Sequence, residues 1–335
     1  MKIEKTDVLI IGAGPVGIFT VFQCGMLGLK THIVDAQSFL GGQCAALYPE
    51  KPIYDIPAMP SITGGELIEH LFIQAKPFNP NIHLNCKVID IKNINGTWTA
   101  ELSNGKIIHC DAIIISSGAG LLRPNKPALD DIELYEGTSV FYSVKQKEFF
   151  ENKKIVIAGG GDSAADWAVE LTKLAKSITV IHRRNTFRAV KETQKQMLNL
   201  AELGKLTIIA PAQISKLYGQ SGHLNHVEID DLNGNKSDID TDTLLLFFGL
   251  TNESSHFENW GLSTKSGHIQ ISAKTCATNL PGVFAAGDVA YFPGKLNLIL
   301  SGFSEAATAA HNAFKYCRPN ELIKAEYSTA KGIPV

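Results

Sequence analysis

The sequence has no C-x-x-C pair, no cysteine cluster with zinc-ligand spacing and no strong excess of charge of either sign. Its six cysteines are scattered over 335 residues, so we expect free thiols in a reducing compartment rather than a disulfide framework. The formal net charge of −2 gives no sign of a surface for nucleic acid or acidic lipid. Neither of these partners is therefore expected.

A long uninterrupted hydrophobic run is also missing. Residues 8–29 are mostly apolar, but several glycines, Pro15 and Gln23 interrupt them, and no persuasive small-residue cleavage site is present. A buried strand, a glycine turn and a buried helix explain this stretch better than a signal peptide or a membrane span. We expect a protein without membrane segments, located in the cytoplasm.

A glycine-rich turn follows the first predicted strand, at residues 7–11. Gly12 permits a tight turn, Gly14 lets the backbone approach a pyrophosphate, and Gly17 lets the next helix pack closely on the strand. Pro15 belongs to the same turn, which has the G-x-G-x-x-G spacing. Asp35 lies 23 positions after Gly12, where a carboxylate accepts hydrogen bonds from a ribose. Because a carboxylate repels a 2′-phosphate, this site favours FAD or NAD over NADP.

A second glycine-rich turn follows the strand predicted to start at Lys154. Its residues are Gly159, Gly161, Asp162, Ser163 and Ala164. Ala164 is an accepted replacement for the third glycine. The next strand ends in a basic group instead of an acid: His182, Arg183, Arg184 and Arg188. Guanidinium groups bind phosphate bidentately, so this site favours NADPH, and the alternative is a solvated basic surface loop.

The two turns, the Gly41-Gly42-Gln43 segment and the Gly-Asp pair ending at Asp288 resemble the thioredoxin-reductase-like flavoproteins over nearly the whole chain. The resemblance implies an α/β fold with two Rossmann-like three-layer (ββα) nucleotide-binding domains. It also implies that the NADPH domain is inserted in the FAD domain. The FAD domain is expected at residues 1–118 and 252–335, and the NADPH domain at residues 119–251.

One departure from the thioredoxin reductases concerns the exit of electrons. Those enzymes carry a redox-active C-x-x-C just before the second fingerprint, whereas residues 137–144 contain no cysteine here. Disulfide formation needs two nearby sulfurs, so electrons must leave the flavin by another route. The chain resembles the thioredoxin-reductase-like ferredoxin–NADP⁺ reductases in three features: the missing C-x-x-C, the Leu47-Tyr48-Pro49-Glu50 segment and the C-terminal tail.

This resemblance implies further flavin contacts. In that family the tyrosine of the L-Y-P-E segment stacks on the isoalloxazine, which falls on Tyr48. A second aromatic from the C-terminal extension covers the other face, which falls on Tyr327, where relatives often have histidine. The remaining FAD contacts implied by the resemblance are Gln43, Val88, Leu122, Asp288 and Thr329.

The implied activity is that of an FAD-dependent ferredoxin or flavodoxin–NADP⁺ reductase. Hydride passes between NADPH and FAD N5, and single electrons then pass to an external carrier. The flavin carries the chemistry, so no catalytic protein residue and no metal is expected. A homodimer is expected, and Lys51, Lys295 and Lys315 are candidates for docking an acidic carrier. The alternatives are an NADPH-dependent reductase of a disulfide protein, quinone or oxygen, and a non-catalytic flavin-binding scaffold.

Overall fold

The computed structural model describes residues 3–118, 120–231, 233–253, 257–321 and 332. The described strands are β1 (Ile3–Ile11), β2 (Thr31–Val34), β3 (Pro52–Ile53), β4 (Ile62–Thr63), β5 (Asn81–His83), β6 (Val88–Ile94), β7 (Thr97–Leu102), β8 (Ile107–Ile115), β9 (Leu121–Pro124), β10 (Val140–Phe141), β11 (Lys154–Gly159), β12 (Ser177–Ile181), β13 (Thr207–Ile209), β14 (Ala212–Gln220), β15 (His223–Asp231), β16 (Lys236–Asp240), β17 (Thr243–Phe247), β18 (Leu250–Glu253), β19 (Thr264–Lys265), β20 (His268–Gln270), β21 (Val283–Ala285) and β22 (Ala290–Tyr291). The described α-helices are α1 (Pro15–Met26), α2 (Gly42–Leu47), α3 (Gly64–Ala75), α4 (Asp162–Leu171), α5 (Lys191–Glu202) and α6 (Ile299–Cys317).

The chain forms two compact units. The first unit contains residues 1–121 and 252–335, and the second unit contains residues 122–251. The second unit therefore lies within the sequence of the first. The assignment of FAD to the first unit and NADPH to the second stays a prediction.

The main sheet of the first unit has the order β5-β2-β1-β8-β7-β6, and β21 also pairs with β8. β8 pairs in parallel with β1 along its whole length; on its other edge, its start pairs antiparallel with β7 and its end pairs parallel with β21. The sequence pattern predicted two separate strands here, at residues 107–110 and 112–116, and this was wrong. One exposed residue, Asp111, does not break the strand, since its neighbours on both sides are buried and paired.

Both faces of the parallel part of this sheet, formed by β5, β2, β1, β8 and β21, are covered. On β1, Val8 and Ile10 pack on the side of α1, α3 and α6, whereas Leu9 and Ile11 pack on the side of β6 and β7. A parallel strand with two buried faces has a continuous apolar run, which is why residues 8–11 are recognisable as a strand from sequence. Thr63 begins α3 with a capping box, in which its side chain and that of Glu66 bond each other's backbone N–H groups.

The second unit repeats this layering. Its parallel sheet has the order β10-β17-β11-β12-β13, and β14, β15 and β16 form a separate antiparallel sheet. On β11, Ile155 and Ile157 pack in one cluster with residues of α4 and α5, whereas Val156 and Ala158 pack in another with residues of β14 and β15. Two Rossmann-like three-layer units confirm the predicted fold class.

The last helix begins earlier than expected. The pattern predicted a helix from about Ser304 to Phe314, whereas α6 spans Ile299–Cys317. Gly302 lies within this helix, where α6 approaches α1 closely. A Cβ on Gly302 would lie 2.4 Å from the Val16 side chain of α1. Glycine is therefore required by helix packing at this position and does not break the helix. Among the described helices, none has both the length and the apolar content needed to cross a bilayer.

Candidate nucleotide-binding sites

The first glycine turn is determined by close backbone contacts. Gly12 has φ of +105°, and a Cβ on it would lie 2.6 Å from the carbonyl oxygen of Ser116, the residue after β8. A Cβ on Gly17 would lie 1.9 Å from the Gly12 carbonyl oxygen. Neither position accepts a larger residue without a shift of the backbone. These two glycines therefore allow α1 to start directly above the carboxyl ends of β1 and β8.

Gly14 differs from these two glycines because the space in front of it is open. A Cβ there would meet only Gly42 Cα, at 3.9 Å. Gly14 is the N-cap of α1, no side chain caps the helix, and Pro15 occupies its first turn. The first N–H groups of α1 are thus available to an anion, and the residues fit a dinucleotide pyrophosphate.

Asp35 is held in place by two backbone donors. The N–H of Ala13 donates to Oδ2 at 2.7 Å, and the N–H of Gln37 donates to Oδ1 at 2.8 Å. Burial raises the pKa of this carboxyl, and the two donated hydrogen bonds oppose that effect. The carboxylate therefore lies against the glycine turn in a fixed orientation, as a ribose acceptor requires.

The short helix α2 carries two further predicted flavin residues. The loop before α2 is hydrogen-bonded to the glycine turn, since the N–H of Gly41 donates to the Ala13 carbonyl at 2.8 Å. The Gln43 side-chain amide lies beside Gly118, and Tyr48 is half-buried with its hydroxyl 3.5 Å from Cys44 Sγ. Burial raises the pKa of Tyr48, so the phenol stays neutral at physiological pH.

Asp288 follows a turn that is supported by a buried ion pair. The N–H of Gly287 donates to Glu305 Oε2 at 2.7 Å, and the other carboxylate oxygen of Glu305 contacts Lys295 Nζ. The side chains of Lys295 and Glu305 are only 6% and 9% exposed. Sequence reasoning missed Glu305, whose one signal is an isolated acid among the small residues of α6. The expectation that Lys295 docks a carrier was wrong, because its ammonium group is buried.

Among the remaining predicted flavin residues, the structure describes Val88 fully and the others only in part or not at all. Val88 begins β6, two residues after Cys86, whose N–H donates to the Asp35 carbonyl at 3.1 Å. Leu122 lies in β9, and its side chain, like Tyr327 and Thr329, lies outside the described part of the structure. Ser117, next to Gly12, was not singled out from sequence; its hydroxyl is buried without a hydrogen-bond partner, which suits a ligand group at this turn.

The second glycine turn has the same construction. A Cβ on Gly159 would lie 2.7 Å from the Phe247 carbonyl oxygen, and Ala164 is fully buried where α4 packs on the sheet. Gly161, the N-cap of α4, has open space around it, and no side chain caps this helix. Ser163 is exposed in the first turn of α4. The N-terminus of α4 is thus a second site that fits a pyrophosphate.

The basic loop after β12 is joined to this turn. The N–H of Arg188 donates to the Gly160 carbonyl at 2.7 Å, and the N–H of Val190 donates to Asp162 Oδ1 at 2.7 Å. Arg183, Arg184 and Arg188 are exposed, and none of them forms an ion pair within the described residues. Three guanidinium groups that have no carboxylate partner among the described residues therefore lie on the loop after β12, beside the glycine turn.

His182 has a different environment from the arginines beside it. It is buried, its ring packs against the tilted ring of Phe187 with centroids 5.0 Å apart, and its Nε2 lies 3.2 Å from the Thr186 carbonyl oxygen. A Cβ on Gly160 would lie 2.2 Å from this ring. Burial lowers the pKa of His182, so its imidazole is neutral and supports the shape of the loop. Its predicted contact with NADPH stays a prediction.

Comparisons with known proteins agree with this architecture. The family model described as pyridine nucleotide-disulphide oxidoreductase matches residues 6–315. A protein of Rhodospirillum rubrum named ferredoxin–NADP reductase is 48% identical over 334 residues, which cover 98% of this chain and 97% of that protein. A protein of the same name from Rickettsia akari is 48% identical over 328 residues and covers 98% of both chains.

Solved structures with the same fold include two thioredoxin reductases. The enzyme of Lactococcus lactis has a TM-score of 0.73 at 24% identity, over 94% of this chain and 99% of that one. The enzyme of T. acidophilum has a TM-score of 0.74 at 24% identity, over 93% and 98%. At this identity the likeness shows the fold alone. From the family match and the near full-length relatives, the chain belongs to the pyridine nucleotide-disulphide oxidoreductase family, in its ferredoxin–NADP reductase group.

Proposed function

We propose that the protein is an FAD-dependent ferredoxin–NADP reductase, with ferredoxin or flavodoxin as its one-electron partner. The observation that carries this proposal is the 48% identity to a relative of that name over nearly the full length of both chains. The two nucleotide sites add independent support, because one has a carboxylate at the ribose position and the other has arginines that form no ion pair with any described residue. We also propose a homodimer and a cytoplasmic location, and the family resemblance is the support for both.

In this proposal the first unit holds FAD. The free N–H groups of α1 bind the pyrophosphate, Asp35 accepts hydrogen bonds from the ribose, and Asp288 binds near the ribityl chain. Tyr48 and Gln43 are assigned to the isoalloxazine end. When bound, FAD takes up a hydride from the nicotinamide of NADPH and releases electrons singly. The protein positions the two nucleotides and excludes water, and no side chain has to move a proton.

The second unit holds NADPH in this proposal. The N-terminus of α4 binds the pyrophosphate, and Arg183 and Arg184 bind the 2′-phosphate through bidentate hydrogen bonds. Asp162 accepts a hydrogen bond from the Val190 N–H and so keeps the basic loop beside the phosphate site. NADH has no 2′-phosphate and therefore cannot bind these arginines. The selectivity for NADPH over NADH then depends on them.

The state of the thiols favours an external carrier over an internal dithiol. All six cysteines are free, and burial raises the pKa of Cys110, Cys276 and Cys317 to about 12. A thiol with such a pKa is almost entirely protonated at neutral pH and is a poor nucleophile towards a disulfide. Electrons that leave one at a time need only a carrier that approaches the flavin.

Anaerobic stopped-flow spectroscopy with a panel of acceptors tests this function. We expect NADPH to bleach the flavin absorbance rapidly, and ferredoxin or flavodoxin to restore it much faster than oxygen, a quinone or a disulfide protein does. Fast reoxidation by a disulfide protein or quinone alone would favour the alternative reductases. If NADPH does not bleach the flavin, the protein is not a reductase of this kind.

The Arg183→Ala/Arg184→Ala variant tests the choice of nucleotide. Loss of two charge-assisted contacts at about 1.5–3 kcal/mol each removes about 3 kcal/mol or more of binding free energy, which predicts an NADPH KM that rises by about a hundredfold or more. The KM for NADH should stay within about twofold, because NADH has no 2′-phosphate. Steady-state kinetics with both nucleotides measure this, with Lys176→Ala, at an exposed site before β12, as the control. Equal changes in both KM values would refute the assignment.

A further inference from the structure

Three metal-ligating side chains meet on neighbouring strands of the first unit. Glu4 lies on β1, His32 on β2 and His83 on β5, and these strands are adjacent in the sheet. The side chains of His32 and His83 are 5% and 7% exposed, and that of Glu4 is 18% exposed. Neither nucleotide-site proposal uses any of the three. A buried pair of histidines beside a carboxylate calls for an account of its own.

The distances between the three ligand atoms fit a metal ion. His32 Nδ1 lies 3.1 Å from His83 Nε2, and Glu4 Oε2 lies 3.7 Å from the first and 3.6 Å from the second. A triangle with these sides has one point about 2.0 Å from all three corners, which matches zinc–nitrogen and zinc–oxygen bond lengths of about 2.0–2.2 Å. We propose that Glu4, His32 and His83 bind one Zn²⁺ ion.

Two outer partners lie beside the ligands. Asn81 Nδ2 lies 2.8 Å from His32 Nε2, and the proposed site requires this side-chain amide to turn over, so that its oxygen faces the ring and accepts the Nε2 proton. His32 Nδ1 is then left with the lone pair for the ion. Lys106 Nζ donates a hydrogen bond to Glu4 Oε1 at 3.3 Å. The other oxygen, Oε2, faces both histidines and stays available to the ion. Outer hydrogen bonds of this kind are typical of ligating histidines and carboxylates.

The chemistry of the ligands favours a transition metal such as zinc. Two imidazole nitrogens and one carboxylate oxygen suit Zn²⁺, whereas Mg²⁺ and Ca²⁺ prefer sites made of oxygen alone. Lys106 adds a positive charge nearby and lowers the affinity.

The ion has a structural role in this proposal. It joins β5, at the edge of the sheet, to β2 and β1 through side chains as well as through backbone pairing. The His83 carbonyl accepts a hydrogen bond of 2.9 Å from the N–H of Asp35, so the site lies directly behind the proposed ribose carboxylate. Bound zinc should therefore raise the unfolding temperature of the holoenzyme by several degrees.

The first test uses the unaltered holoenzyme, stripped of metal by a chelator and titrated with ZnCl₂. Isothermal calorimetry should show one ion per chain, and X-ray absorption at the zinc edge should show nitrogen and oxygen neighbours at about 2.0 Å with imidazole scattering. No binding in the micromolar range, or a zinc spectrum without imidazole scattering, would overturn the proposal. The cluster would then be a hydrogen-bonded polar network only.

Ligand variants locate the site. His83→Gln and Glu4→Gln should each weaken zinc binding by roughly a hundredfold or more. His70→Gln is the matched control, because His70 is exposed on α3 and lies outside the cluster. Unchanged affinity in both ligand variants, or an equal loss in the control, would show that zinc binds elsewhere. Should a ligand variant fail to fold, the absorption spectrum of the unaltered protein still decides.

Discussion

Gly17→Ala should strongly destabilise the first unit, although alanine is the better helix former. The intrinsic gain from alanine in a helix is about 1 kcal/mol. Against it, the new Cβ would lie 1.9 Å from the Gly12 carbonyl oxygen and 2.8 Å from Ser116 Oγ, and the nearer of these atoms is backbone. Forced overpacking of this kind costs about 3 kcal/mol or more, so the clash prevails. Urea unfolding of the apoprotein, followed by circular dichroism, measures the loss.

Gly14→Ala is the matched control, three residues earlier in the same turn. Gly14 has φ of −72°, which alanine adopts without strain, and the nearest atom to its Cβ would be Gly42 Cα at 3.9 Å. The free energy of unfolding of the apoprotein should therefore change by less than about 0.5 kcal/mol. Bound FAD should fall sharply, since the methyl group keeps the pyrophosphate from the backbone. Equal stability losses in the two variants would contradict the distinction between them.

Glu305→Ala should lower the free energy of unfolding by about 3–5 kcal/mol, because it leaves the buried Lys295 ammonium without a partner. The same change removes the acceptor of the Gly287 N–H, which is bonded to Glu305 Oε2 at 2.7 Å. The turn that presents Asp288 then loses its support, and we expect a loss of bound FAD as well. Urea unfolding and the ratio of flavin to protein absorbance measure the two effects.

Two further variants separate the buried pair from a surface pair. Glu170→Ala breaks the Lys173–Glu170 pair, whose side chains are 66% and 42% exposed, and should change stability by less than about 0.5 kcal/mol. The double variant Lys295→Met/Glu305→Gln should recover most of the stability, since no unpaired charge remains buried. If Glu305→Ala destabilises no more than Glu170→Ala, the ion pair does not support the turn.

The nucleotide sites were accessible from sequence because their chemistry is local. Gly12, Gly14 and Gly17 act within one strand–turn–helix unit, and the spacing to Asp35 is set by the length of α1. The buried parallel strands were equally clear, since both faces require apolar residues. The strand limits were less clear at Asp111, where one exposed residue interrupts the pattern but β8 continues.

Sequence by itself determined the two-unit α/β fold, the two glycine turns and the difference in charge between Asp35 and Arg183. Each of these depends on residues that are near in sequence. Only the tertiary structure decided that Lys295 is buried with Glu305 rather than exposed for docking, and that His182 packs against Gly160. It alone also brought Glu4, His32 and His83 together, because the pairing of β1, β2 and β5 joins positions that are up to 79 residues apart in sequence.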